Sequence, residues 1–498
     1  MVREKKEYSY GHILKYTSLF GGIQGLNVLI GLVRNKLVAV ILGPQGMGLI
    51  SLFNTSVKLV SDSTNLGLSM SAVKNLSEAF ESGDDERLSH SMQVIRLWSL
   101  LTALVGVFFA FVLSPLLDTW TFNWGDHTLH FVLLSPIVGM MAITGGEMAI
   151  LKATRHLRSL AVVSAFNVLL ALFTSVPIYY LMGERGIVPS LLVIALSQML
   201  LTVYQSFRLF PYRIQFSRQG IADGMDMVRL GIAFVIAGIM GSGADFIIRS
   251  YLNNVASLDE VGLYNAGYMM TMIYAGMVFS AMETDYFPRL SAVNNDVALC
   301  RLTVNRQIEV SLLLIAPMLV AFIIAVPILL PLLYSQQFTP AVSMVQVMTL
   351  ALYFRALKLP LSYIPLAKGD SWSYLFLEML YDVLIVVSVI VFFRTYGLMG
   401  AGIAITVTGI LEYGLLLVYT RARYGYRPSR EVVTYSLIQI PLGFAAYLTV
   451  ITLHGLSCWL VGALLVAVSL YFSVRILQQK TSLWKRLTQR IPFLNPKE

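Results

Sequence analysis

Residues 31–48 read GLVRNKLVAVILGPQGMG, and the meaning of this stretch decides the fold. It lies in an apolar run near 13–42 that is long enough to cross a bilayer, which takes roughly 20 residues, yet it carries Arg34 and Lys36. The run then breaks at Gly43, Pro44, Gly46 and Gly48. Such residues make a tight turn between two spans, and glycine also lets helices approach closely.

The rest of the chain repeats this pattern. Of its 498 residues, 57% are hydrophobic and 13% charged, and the mean hydropathy is +0.72. A soluble chain of this length would form two or more domains with far more charged surface. Apolar segments of spanning length instead follow one another almost without interruption, whereas barrel strands would alternate in short segments. The fold class is an all-α polytopic membrane protein. About fourteen spans are expected, near 13–42, 47–79, 89–115, 128–151, 159–182, 187–208, 230–252, 260–286, 306–334, 340–366, 372–393, 398–420, 432–453 and 456–477.

The loops orient these spans. REKK (3–6), KATRHLR (152–158), RLFPYRIQFSR (208–218), RARYGYRPSR (421–430) and QKTSLWKRLTQR (479–490) all fall on one side. The opposite loops, 119–130, 253–260 and 334–340, hold no Lys or Arg, with GERG and RTYG as the small exceptions. The positive-inside rule puts both termini in the cytoplasm. It also accounts for the net charge of +9 without nucleic acid as a partner. The start of the chain is basic and lacks a small-residue cleavage site after a short apolar core, so no cleavable signal peptide is expected. Cys300 and Cys458 are too few for a disulfide or zinc framework. His127 and His130 share a loop, but no metal site is expected there, and no catalytic residues stand out.

The longest polar connection suggests a division into 1–210, a cytoplasmic linker 211–229, a second set of spans 230–424, and two extra spans with a basic tail, 425–498. The two halves are faintly repetitive. Residues 34–50 (RNKLVAVILGPQGMGLI) and 249–265 (RSYLNNVASLDEVGLYN) both begin with Arg and place Gly-Leu soon after a short loop.

Charges inside spans cost about 2.5–3.5 kcal/mol each on insertion scales, so each invites a functional reading. Arg34 and Asn35 are expected to face a water-filled cavity. Lys36 either joins them or snorkels towards the surface. Lys58 and Asp62, like Asp245 and Arg249, are four residues apart and either neutralise one another on a helix face or mark a pathway. Lys74, Arg355 and Lys358 are further cations in spans two and ten. Glu378 and Asp382 lie one turn apart in LEMLYDVL and should resist ionising together, so that one holds a proton or both share a cation. The alternative is a bond from Arg or Tyr of another helix. The stretch 262–277, GLYNAGYMMTMIYAGM, reads as helix packing rather than a sugar platform.

KLVAVILGPQGMGL (36–49), FTPAVSMVQVMTL (338–350) and IPLAKGDSWSYLFLEM (364–379) resemble stretches of the Wzx-type O-antigen and enterobacterial common antigen flippases. These belong to the multidrug/oligosaccharidyl-lipid/polysaccharide (MOP) exporter superfamily, and the resemblance runs over about residues 20–420. It implies two six-helix lobes in a V around a central cavity, with the last two helices packed outside. It also implies alternating access and an undecaprenyl-pyrophosphate-linked glycan as substrate, moved across a bacterial inner membrane. Membrane lipid, a polysaccharide polymerase and a chain-length regulator are the partners it implies, and no cofactor beyond proton or sodium coupling. Related lipid II flippases keep Arg and a small polar residue in the first helix, as at Arg34 and Asn35, and share the two extra spans. The substrate headgroup is accordingly expected at Arg34, Lys36 and Lys58, with Arg249 and Arg355 contributing. The coupling ion is expected at Glu378 and Asp382, with Asp245 and Thr406. Three other functions compete. A cation-coupled multidrug exporter should favour carboxylates, and a lipid II flippase remains possible on the first helix. A glycan ligase or polymerase should need a large outer loop with acid/base residues. No phosphate-binding GxxxxGK[ST] loop is present.

Overall fold

The computed structural model describes residues 2–211, 214, 216 and 218–480. Among these, every regular element is helical. Nine helical stretches of the described residues are long and apolar enough to cross a membrane, and a bent pair makes a tenth. Several contain two of the expected spans joined by a kink, and the protein is a multi-pass membrane protein. The basic tail beyond residue 480, and residues 212, 213, 215 and 217 of the expected linker, lie outside the described residues.

The chain forms two compact units, Met1–Asn265 with Leu333–Gln337, and Ala266–Leu332 with Phe338–Glu498. Unit 1 begins with α1 (Val2–Thr64), which contains the first expected span and the start of the second. At Gly43 the backbone turns to φ 65° and ψ −170°, ahead of Pro44. Proline removes a helical N–H, and glycine accepts the left-handed φ at no steric cost, so the helix bends here. Then come α2 (Leu68–Ser82), α3 (Asp85–Val112), α4 (Ser114–Thr121), α5 (Thr128–Ala153), α6 (Leu157–Met182), α7 (Ile187–Leu209), α8 (Arg218–Val255) and α9 (Leu258–Tyr268). The second expected span is not continuous: α1 and α2 are separated by Asn65, Leu66 and Gly67. Leu66 (φ 53°) and Gly67 (φ 67°) are both left-handed, and Gly67 N donates to Asn65 Oδ1 at 2.8 Å. A β-carbon on Gly67 would stand 2.7 Å from the Gly231 carbonyl oxygen of α8. At that crossing α8 packs against the turn between α1 and α2 within unit 1.

Unit 2 continues from α9 through a π-helical turn, Met269–Ala275. It then holds α10 (Met277–Ala292), α11 (Val297–Leu333), α12 (Val342–Thr349), α13 (Ala351–Ala367), α14 (Ser371–Tyr424), α15 (Arg430–Thr452) and α16 (Leu456–Lys480). Its core packs Leu312, Leu319 and Ile323 of α11 against Tyr353, Leu357 and Leu361 of α13. Three prolines lie in α11, and Pro327 deprives the Ile323 carbonyl of its usual donor. Gln346 Nε2 supplies a replacement at 3.1 Å, as a buried carbonyl requires. The two C-terminal helices share Gln439, which donates to Ser473 Oγ at 2.9 Å and accepts from Ser469 Oγ at 2.6 Å. Tyr435 and Ala446 of α15 join the same core, so these helices are built into unit 2.

Glycine geometry repeats along the chain. A β-carbon on Gly48 would lie 2.2 Å from the carbonyl oxygen of Leu258, and one on Gly262 would lie 1.9 Å from that of Pro44. Each glycine therefore rests on the backbone four residues before the other. Their Gly-Leu pairs are the ones the two similar stretches have in common. A second motif joins α6 to α7 at Gly183 (φ 57°, ψ −137°) and divides α14 at Gly397 (φ 57°, ψ −142°). In both cases a glycine three residues on packs against a carbonyl eight residues before it: Gly186 on Ile178 and Gly400 on Phe392.

Candidate functional site

The expected site residues fall into two groups, one in each unit. In unit 1, Arg34 is half-buried on α1 and donates from Nε to Ser175 Oγ of α6 at 3.0 Å. Lys36 is half-buried and Lys58 is exposed. Arg249 of α8 is 5% exposed. Its Nη1 donates to Asp245 Oδ1 at 2.8 Å and its Nε to Ser51 Oγ at 2.9 Å. Ser51 in turn donates to Asn265 Oδ1 at 3.1 Å, and the Tyr264 ring lies 5.6 Å from the guanidinium. The spacing of Asp245 and Arg249 thus yields an ion pair on one helix face, inside a network that fixes both side chains. Asp245 serves this arginine.

In unit 2, a cavity of about 300 Å³ is lined by Arg355, Lys358, Glu378, Tyr381 and Glu412 among others. Lys358 of α13 forms an ion pair with Glu412 of α14 and lies 4.3 Å from the centre of the Tyr381 ring. Arg355, one turn earlier, donates from Nη1 to the Met272 carbonyl at 3.1 Å and lies 5.2 Å from the Phe279 ring centre. Met272 belongs to the π-helical turn, where the widened helix interrupts regular pairing and turns a carbonyl towards the site. Glu378 lines the same cavity, with Asp382 half-buried one turn further along α14. Thr406 is 5% exposed and donates to the Val347 carbonyl at 2.7 Å; neither it nor Asp382 is among the residues that line the cavity.

Two cations and two carboxylates therefore face one cavity of about 300 Å³. Lys358 and Glu412 neutralise each other, as paired charges in an apolar setting must. An entering anion can take Lys358 from Glu412, and an entering cation or proton can take Glu412 from Lys358. The arrangement is an exchangeable ion pair beside a second carboxylate and an arginine.

Glu412 is the residue that reading the sequence missed. It carries the same signal as Glu378, an acid within an apolar span. Arg96 and Glu147 were missed too. They form a two-point ion pair between α3 and α5, with Nε–Oε1 2.9 Å and Nη2–Oε2 3.1 Å. Phe207 stacks 3.7 Å from the guanidinium, both charged side chains are almost fully buried, and the pair is a structural tie of unit 1. Lys74 lies outside the residues whose side chains are described.

The sequence profile of a family described as polysaccharide biosynthesis protein matches residues 37–343, more than half of the chain. Among curated proteins none matches. The fold is similar to an inward-facing multidrug resistance MATE family transporter of the MOP superfamily, with TM-score 0.68 and 16% identity over 80% of this chain and 94% of that one. It is similar also to the lipid II flippase MurJ in an inward closed conformation, with TM-score 0.67 and 15% identity over 93% and 99% of the two chains. A MOP superfamily transporter from Pyrococcus furiosus gives TM-score 0.51 at 17% identity, over 82% and 93%.

Proposed function

The chain belongs to the polysaccharide biosynthesis protein family, and from that premise we propose that it is a flippase for lipid-linked oligosaccharide. Its substrate is a short glycan on undecaprenyl pyrophosphate, carried from the cytoplasmic to the outer leaflet of a bacterial inner membrane. The observation that carries this reading is the pair of cations, Arg355 and Lys358, in a cavity within an apolar helical unit. A pyrophosphate must lose water as it crosses, and charge-assisted hydrogen bonds from Lys and Arg replace that hydration. Lys358 becomes available to the anion when Glu412 takes up a proton or cation in its place. In unit 1, half-buried Arg34 and Lys36 and exposed Lys58 are the further cations proposed for the headgroup, while Arg249 is already held by Asp245. The reaction is transport without bond cleavage. The basic loops and both termini lie in the cytoplasm.

Glu378 and Asp382 form the proton- or sodium-responsive group, with Glu412 as the third carboxylate in place of Asp245 and Thr406. A cation relieves repulsion among them, and it drives the cycle only if that relief differs between two conformations. A second reading, a cation-coupled multidrug exporter, is favoured by these same carboxylates and by the likeness to a MATE transporter.

One experiment separates the two. Purified protein in proteoliposomes is given labelled polyprenyl-diphosphate glycan on one leaflet, or an organic cation, with imposed pH or sodium gradients. The flippase reading expects glycan movement that falls at least tenfold in Lys358→Gln and in Arg34→Ala, with partial activity in Arg34→Lys, which lacks the two-point fork. Movement of the organic cation without the glycan would establish the exporter. A parent indifferent to both gradients would remove the coupling assignment.

A further inference from the structure

Unit 2 holds a second and larger cavity that the transport reading does not use. It measures about 1250 Å³ and lies where the start of α11 meets the turn before α15 and the last residue of α16. Its charged lining is Arg289, Arg301, Arg306, Arg427 and Lys480 against Glu309 and Glu431. Positive charge is in excess by three. Lys480 is held by Glu309, with Nζ–Oε2 2.6 Å, which leaves the arginines as the net charge. A neighbouring cavity of about 530 Å³ shares Arg301 and Arg427 and adds Arg421.

The frame of the cavity is fixed by hydrogen bonds. Asn305 Oδ1 accepts from Tyr426 Oη at 2.8 Å and from Ser429 N at 3.1 Å. Asn305 Nδ2 donates to the Arg427 carbonyl at 3.1 Å, and Arg301 Nη2 donates to the Gly425 carbonyl at 2.7 Å. Yet Arg301 Nε is buried and has no acceptor. A buried charged donor without a partner is costly, and an acceptor placed beside it recovers that cost.

The surface next to the cavity indicates what kind of molecule carries the anion. Leu302, Val310, Leu314 and Met318 of α11 are exposed, and with exposed Arg306 they recur every fourth residue. This is an apolar stripe along one helix face that runs from the arginine into the membrane-spanning part. A head bearing phosphate and a hydrocarbon chain below it match the two features.

We propose that this cavity binds a membrane lipid whose headgroup carries two phosphates, with the phosphates on Arg301, Arg306 and Arg427 and a chain along the Val310–Leu314–Met318 stripe. Guanidinium groups bind phosphate oxygens at two points, and basic pockets between spanning helices suit such headgroups. Two sources share this chemistry: a bis-phosphate phospholipid such as cardiolipin, and a polyprenyl diphosphate. The site stands whether or not the chain flips glycans.

The test uses the full chain purified in detergent, with lipid binding followed by native mass spectrometry and by the shift in thermal midpoint. The probes are cardiolipin, undecaprenyl diphosphate, phosphatidylcholine and inorganic diphosphate. At least one of the first two should bind at least tenfold more tightly than the last two, and the tighter of them identifies the source. Arg306→Gln should weaken that binding at least tenfold while the unliganded midpoint stays at the parent value, because Arg306 is exposed. Leu314→Ser should weaken it too, with no change in inorganic diphosphate binding, and it carries the test if Arg301→Gln fails to fold. Phosphatidylcholine binding as tightly as cardiolipin would overturn the proposal. So would full lipid affinity in Arg306→Gln and Leu314→Ser, or inorganic diphosphate matching the lipids.

Discussion

Lys358 and Glu412 are each an expensive residue in an apolar helix, and each makes the other tolerable. Removing one should therefore cost more than removing both. Glu412→Gln leaves a lysine without its counter-charge beside a small cavity, and stability should fall by about 2 kcal/mol. Glu412→Leu with Lys358→Met should recover most of that loss, as read by thermal unfolding in detergent, while abolishing transport. Arg96 and Glu147 are almost fully buried, so Glu147→Gln should cost more, about 3–5 kcal/mol. His127 is a different case, in the loop before α5. Burial, and then the neighbouring His130, hold its imidazole below the ordinary value of 6.5 against the opposing pull of Asp118 and Asp126. The unfolded chain takes up this proton near pH 6.5 and the folded chain only at lower pH. Stability is thus complete above pH 6.5 and declines as the pH falls below it. His127→Gln should flatten the thermal midpoint between pH 7 and 5.5 relative to the parent; an unchanged slope would acquit this residue.

Helices in this protein are set as much by their interruptions as by their length. The kinks at Gly43 and Gly397 follow from backbone angles that a β-carbon opposes, and the crossing at Gly48 leaves no room for a methyl group. Gly414 is also on α14, but nothing lies within 4 Å of where its β-carbon would be. Gly48→Ala should therefore destabilise by at least 1–3 kcal/mol through overpacking, whereas Gly414→Ala should stabilise by up to about 1 kcal/mol. Equal effects of the two changes would show that the crossing is looser than its geometry. The break at Gly43-Pro44 was legible in the sequence, because both residues announce it. The break at Asn65–Gly67 was not, since Leu66 gives no sign that it adopts a left-handed backbone. Nor could the pairing of Glu412 with Lys358 be read: its carboxylate was visible, but its partner is chosen by how α13 and α14 pack.

At the scale of the whole molecule, hydropathy and loop charge carry most of the information, because a bilayer constrains every span at once. The helical, multi-pass class was legible for that reason. Contacts between spans depend on side-chain shape, so the bonds of Asp245 to Arg249 and of Thr406 to the Val347 carbonyl could not be read from the sequence. Orientation makes its own prediction. Single cysteines introduced at residues 208–218 or 421–430 of a cysteine-free parent should react only with reagent supplied on the cytoplasmic side, and those at 119–130 only from outside. Labelling in the reverse sense would invert the topology and with it the direction of transport.

The reciprocal seat of Gly48 and Gly262 has the form of a two-fold contact drawn within one chain. Each glycine meets the carbonyl four residues before its counterpart, so neither side can be enlarged without displacing the backbone of the other.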